Sequence, residues 1–150
     1  MDPVRRRPMS EPIRVLFLCT HNSARSQIAE AFLNDLGEGR FEAHSAGTEA
    51  RGLHPLSVQV MAEVGIDLSL QESKTVDRFI DEPFDLVITV CDEANEACPY
   101  FPNARERRHW SFPDASAVVG TDAVRFAAFV AVRDAICERI ERELLGVRAG

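Results

Sequence analysis

The chain alternates short apolar runs with longer stretches of helical periodicity. Residues 13–18 form a brief apolar run, the pattern of a strand buried on both faces. Residues 41–46 predict a second strand closed by Gly47, residues 84–90 a third and clearer one, and residues 108–110 a short last strand. Between them, residues 23–36 carry Ile28, Ala29, Phe32, Leu33 and Leu36 at helical spacing, and Gly37 and Gly39 end that pattern. Pro55 sits where a helix accepts proline, in its first turn, and Gly65 follows the predicted end at residue 64. Residues 121–145 predict a long final helix, with Val124, Ala128, Ala131, Ala135, Cys137, Ile140 and Leu144 among its apolar positions. Strands that alternate with helices predict an α/β sandwich on a parallel central sheet. Ligands of such sheets bind at the carboxyl ends of strands. Cys19 and Cys91 each fall at a strand end, so the two are candidates to face one site.

Composition narrows the partners. The sequence has 150 residues, 45% hydrophobic and 27% charged, with a net charge of -7. That length suits one domain, expected over residues 13–150 behind a flexible tail at residues 1–12. The tail carries Arg5, Arg6 and Arg7, but the acidic balance provides no general field for nucleic acid or an anionic membrane. Any anion must be held by a local device. With no signal-like segment and no membrane-length apolar run, the expected location is the cytoplasm, where thiols stay reduced. The four cysteines are then core residues, metal ligands or working thiols. Cys137 lies on the apolar stripe of the last helix and reads as core.

The segment C19-T-H-N-S-A-R-S26 is such a device. A chain turning from strand to helix leaves N–H groups without intrahelical partners, and these can converge on an anion with the help of the helix dipole. Arg25 adds a planar fork for a tetrahedral oxyanion. The same field is expected to lower the pKa of Cys19, with Ser26 donating to its sulfur. An isolated C-x5-R pattern is more often a core cysteine and a surface arginine. Its place at a strand-to-helix junction, followed by serine, reverses that balance. Breaking a bond to oxygen needs a proton donor, and Asp114 in H109-W-S-F-P-D114 is the best candidate.

The segment C91-D-E-A-N-E-A-C98-P adds two thiols that phosphate-ester chemistry does not need. Their spacing is neither a zinc knuckle nor a C-x-x-C motif, and no histidine stands at motif spacing to complete a metal site. On a regular helix, positions seven apart lie about 10 Å from each other. A disulfide needs Cα atoms within about 7 Å. Cys91 and Cys98 could therefore pair only if the segment bends or unwinds; order when reduced and looping out when oxidised is the expectation.

These residues together resemble the thioredoxin-coupled arsenate reductases, which are built on the low-molecular-weight tyrosine phosphatase fold. The likeness runs from about Ile13 to the last helix. C19-T-H-N-S-A-R-S26 matches the family's oxyanion loop, S45-A-G47 the segment after the second strand, T89-V-C-D-E-A-N-E-A-C-P99 its redox segment and H109-W-S-F-P-D114 its acid loop. The resemblance implies a three-layer, flavodoxin-like sandwich around four parallel strands. It assigns Cys19 as nucleophile, Arg25 as anion clamp, Asp114 as acid, and Cys91 and Cys98 as the redox disulfide pair. Thr20, His21, Asn22, Ser23, Ala24, Arg25 and Ser26 become the oxyanion-binding residues, with Asn22 shaping the loop. Arsenate is the implied substrate, phosphate and sulfate its competitors, thioredoxin the electron donor and a monomer the implied state, with no resident cofactor or metal. Some members hold potassium beside the loop; Lys74 matches a position of that site, near Glu30 and Ser45, and its ammonium is expected to take the ion's place. Ala24 stands where some relatives have a further cysteine. The alternatives are a low-molecular-weight tyrosine phosphatase, a reductase served by a low-molecular-weight thiol, and a non-catalytic oxyanion or redox sensor. Cys98 argues against the second, and the presence of only one tyrosine, Tyr100, offers few aromatic walls for the first.

Overall fold

The computed structural model describes residues 11–92 and 101–146. Four strands make one sheet: β1 (Ile13–Cys19), β2 (Phe41–Gly47), β3 (Phe84–Thr89) and β4 (Ala104–His109). Their order is β2-β1-β3-β4 and every pairing is parallel. Three helices are described: α1 (Arg25–Leu36), α2 (Pro55–Glu63) and α3 (Asp122–Glu143). Parallel strands need crossovers, and β1–α1–β2 is such a unit.

The alternation of β1 builds two cores. Val15, Phe17 and Cys19 join Ile28, Phe32 and Leu33 of α1, Met61 of α2, and Phe129, Ile136 and Ile140 of α3. Leu16 and Leu18 face the other way, against Phe79, Phe84, Val87 and Phe101. The sheet therefore has helices on one face and the chain around Phe79 and Phe101 on the other, the three layers expected. Thr121 caps α3 by accepting from Val124 N–H, and His54 caps α2 through its ring, which accepts from Leu56 N–H.

Two boundaries differ from the sequence expectation for a structural reason, while the others shift by one or two residues. The last strand is longer than residues 108–110 because ARERRH lies at the sheet edge, alternating between half-buried and exposed, so it carries no apolar run to read. Charged side chains also blunt a free edge against other chains. The first helix begins at Arg25 rather than residue 23, because Ser23 and Ala24 belong to the loop that precedes it.

The chain switches direction around β1: β2 lies on one side and β3 on the other. Crevices at such switch points, beyond the strands' carboxyl ends, are where open α/β sheets bind ligands.

Candidate active site

Cys19 ends β1 at this crevice and is 3% exposed. Of the five residues that follow, four have carbonyls tied to segments outside the loop and the fifth, Ala24, to α1. Thr20 O accepts from Glu49 N–H (2.9 Å), His21 O from Arg51 N–H (3.1 Å), Ser23 O from His54 N–H (2.9 Å) and Ala24 O from Ile28 N–H (2.8 Å). Asn22 O accepts from the Ser73 hydroxyl at 3.0 Å. Because a trans peptide sets N–H opposite C=O, each tied carbonyl turns the next amide inward. The first-turn amides of α1, free by helix geometry, continue the same concave surface. Asn22 holds a left-handed φ of 50°, a conformation asparagine tolerates better than most residues. Gly47 presses against this turn: a Cβ there would lie 2.7 Å from Thr20 O and 2.8 Å from Asn22 N. Any side chain at that position would push the loop out of place.

A buried network orients the protons. Lys74 N–H donates to Asn22 Oδ1 at 2.7 Å, which fixes the amide's direction. Asn22 Nδ2 must then face Ser26 Oγ (2.8 Å) and Ser45 Oγ (3.0 Å), donating to both. Ser26 is left to donate its hydroxyl proton to Cys19 Sγ, 2.8 Å away, and Ser45 donates to Glu30 at 2.6 Å. Glu30 in turn faces the Lys74 ammonium at 3.6 Å. Gln27 also donates to Asn22 Oδ1 at 2.8 Å. All four side-chain hydrogen-bonding positions of Asn22 are thus filled.

Burial pushes the Cys19 thiol up, and the nearby Cys91 adds to the rise; hydrogen bonds from the hydroxyl and N–H of Ser26 and the charge of Arg25 pull it back. The expected fall in pKa is therefore corrected to a rise: a sulfur this deep loses more from desolvation than the loop returns. Arg25 is itself largely buried and anchored to the acid loop, donating to Phe112 O at 3.1 Å. Its second terminal nitrogen lies 3.9 Å from the Asp114 carboxylate. Burial would raise the Asp114 pKa, but the Ser116 hydroxyl, Arg25 and the Ser116 N–H together hold it below the usual carboxylate range. At rest Asp114 is an anion, and it must gain a proton before it can give one.

Cys19, Arg25, Asp114 and Cys91 lie near one another. Cys91, just past β3, brings its sulfur to 3.3 Å from the Thr20 hydroxyl, at the edge of the loop that holds Cys19. The His21 ring lies 3.9 Å from Glu49, and its charge is among those that lower the Asp114 pKa. Cys98 and the tail at residues 1–10 lie outside the described residues. Cys137 is half-buried on α3, its thiol donating to Glu141 and pushed up to about 11 by burial and then by that carboxylate, so it has no part in this site.

Sequence reasoning missed Gln27, Ser73 and the packing role of Gly47. Gln27 is fully buried on the apolar side of α1 beside Ile28, and a polar residue in the first turn of an otherwise apolar face was its only signal. Ser73 gave none.

Residues 14–144 match the model of the low molecular weight phosphotyrosine protein phosphatase family. The arsenate reductase of Halalkalibacterium halodurans is 43% identical over 127 residues, which cover 85% of this chain and 91% of that protein. A solved arsenate reductase in its phosphate binding state superposes with a TM-score of 0.76 at 32% identity, covering 91% of this chain and 99% of that one. The thioredoxin-dependent arsenate reductase of Corynebacterium glutamicum superposes with a TM-score of 0.65 at 27% identity, covering 91% of this chain and 62% of that one. The match over residues 14–144, on this sheet and with this identity across most of both chains, places the chain in the low molecular weight phosphotyrosine protein phosphatase family.

Proposed function

We propose that this chain is an arsenate reductase that converts arsenate to arsenite through Cys19, Cys91 and Cys98, with thioredoxin restoring the thiols. The observation that carries the reading is the second sulfur at the loop edge, 3.3 Å from Thr20. Hydrolysis of a phosphate ester needs one thiol, a cradle and an acid; a second thiol within reach of the first serves electron transfer.

Arsenate binds the inward amides and Arg25. Its negative charge competes for Arg25 and repels the Asp114 carboxylate, which favours protonation of Asp114. The Cys19 sulfur then forms a bond to arsenic. The thiol proton and one arsenate hydroxyl leave together as water, with Asp114 passing the proton to the departing oxygen. The Cys91 thiolate next attacks the Cys19 sulfur. The S–S bond forms, the S–As bond breaks and its electron pair stays on arsenic, which leaves as arsenite. The Cys98 thiolate attacks Cys91 and releases the Cys19 thiolate, leaving a Cys91–Cys98 disulfide. Two electrons from the thioredoxin dithiol close the cycle. Such chemistry requires a compartment that keeps thiols reduced, the cytoplasm. The chain acts as a monomer, with no potassium requirement because the Lys74 ammonium stands beside Glu30. Phosphate and sulfate compete for the loop. Among the described residues no helix is long and apolar enough to cross a membrane.

The test couples NADPH oxidation to thioredoxin and its reductase. Arsenate is expected to drive oxidation and phosphate is not. Cys98→Ser is expected to stop after one turnover with Cys19 bonded to Cys91, and Cys91→Ser to stop before arsenite is released. Sustained turnover by Cys98→Ser with thioredoxin as sole reductant would sink the relay. The same loop and acid can cleave a phosphate ester, so slow aryl phosphate hydrolysis is expected as a side activity. Fast hydrolysis without arsenate-dependent oxidation would make the chain a phosphatase instead.

A further inference from the structure

A second polar cluster stands where β3 ends, and the relay above makes no use of it. His109, the last residue of β4, pairs in register with Thr89 of β3. Its Nδ1 lies 2.7 Å from the fully buried Thr89 hydroxyl. Its Nε2 lies 2.9 Å from Asp92 Oδ1. The carboxylate can only accept, so Nε2 carries a proton; in the neutral ring Nδ1 then accepts from Thr89. Asp92 is held below the usual carboxylate range, first by this bond from His109 and next by one from Ser111.

The placement of this cluster is specific. Thr89 is two residues before Cys91 and Asp92 is the residue after it. Up to Val90 the backbone is fastened to the sheet, with Val90 N–H donating to Leu18 O at 2.8 Å. At Cys91 the chain leaves the sheet. The His109 ring therefore ties the fixed strand to the first residue beyond the nucleophile.

We propose that His109 is a positioning residue for Cys91: by joining Asp92 to Thr89 across the strand end, it sets the direction in which the Cys91 sulfur approaches Cys19. The proposal rests on the reductase reading. Displacement at sulfur requires the incoming sulfur opposite the breaking S–As bond, and loss of such alignment slows a reaction steeply. The tether reaches the oxyanion site through the charge of Asp92, which Arg25 feels, and not through the His109 ring.

The experiment is rapid-quench measurement of Cys19–Cys91 disulfide formation with arsenate in a Cys98→Ser background. In parallel, the phosphate concentration that half-protects Cys19 from alkylation reports on the loop. His109→Phe and Asp92→Ala are each expected to slow disulfide formation roughly tenfold, with phosphate protection unchanged in the first and not weakened in the second. The double variant is expected to be no slower than the slower single one, as for two groups acting through one bond. Asp92→Asn keeps an acceptor for the ring and is expected to recover most of the rate. An unchanged disulfide rate in both variants overturns the proposal. So does an equal loss of phosphate protection, which would make His109 a general support of the fold. If the parent Cys98→Ser chain forms no such disulfide with arsenate, the reductase reading falls first and takes the inference with it.

Discussion

Both thiols of the site are buried, but the residues beside them are placed differently. Around Cys19 almost nothing is free to move. The carbonyls of the loop are all tied, Asn22 uses every side-chain hydrogen bond it can make, and Gly47 leaves no gap behind the turn. Cys91 is buried too, its sulfur meeting the Thr20 hydroxyl, but the next residue, Asp92, is mostly solvent-exposed and bonded to His109. Electrostatic binding of an oxyanion works best with donors that need no rearrangement at the moment of reaction. A sulfur that must attack one partner and then be attacked by another needs freedom to travel. The contrast in tethering follows from the contrast in task.

Breaking the rigid side should cost most. Asn22→Ala removes an amide that satisfies Lys74 N–H and orients both serines, and it puts a residue less tolerant of φ near 50° at the turn. Leaving buried polar groups unpaired costs about 1–3 kcal/mol. Misaiming an oxyanion donor costs on the order of a hundredfold in rate. Arsenate reduction and aryl phosphate hydrolysis should fall together, because both use the loop. If reduction falls and hydrolysis survives, the loop is not the shared device described here.

A smaller loss should come from Ser26→Ala. Asn22 occupies the Ser26 oxygen as a donor, so the serine proton points to the Cys19 sulfur. That bond favours the thiolate and opposes the rise caused by burial. Its removal must raise the Cys19 pKa further. A hydrogen bond to a charged group is worth about 1.5–3 kcal/mol, so alkylation of Cys19 near neutral pH should slow about tenfold or more. The deficit should shrink as pH rises toward the shifted pKa. A uniform deficit at all pH values would mean that Ser26 supports the loop's shape rather than the charge on sulfur.

The same contrast explains what the sequence disclosed. The loop was legible because its chemistry is local: cysteine, arginine and serine lie within eight residues, at a junction where apolar periodicity changes from strand to helix. The helices and the buried strands were legible for the same reason. β4 was not, since an edge strand of arginine and glutamate has no apolar run. The direction of the Cys19 shift was not legible either, because it depends on depth, and depth arises only when β1 is buried in the core it shares with the helices. Ser73 and His109 act on segments that only folding brings near them, so their spacing carried no signal. Asp92 adjoins Cys91, but its role appears only when β4 is laid beside β3.

Lys74 offers the mildest test of how far the rigidity of the loop extends. Its backbone is part of the loop's support: the N–H binds Asn22 and the carbonyl accepts from Gly47 N–H at 2.8 Å. Its ammonium does something separate, facing Glu30, which holds Ser45, which in turn receives a hydrogen bond from Asn22. Lys74→Ala keeps the first function and removes the second. A largely buried carboxylate is left without its counter-charge, so stability should fall. The rate should fall only a few-fold, since Glu30 reaches Cys19 through three intervening side chains. If the ammonium stands where a cation would otherwise be needed, added potassium should recover activity in Lys74→Ala and leave the natural chain unaffected. Potassium stimulation of the natural chain would show that the lysine does not fill that role. Titrating both proteins with potassium chloride against a sodium control separates the specific effect from ionic strength, which should weaken oxyanion binding in each alike.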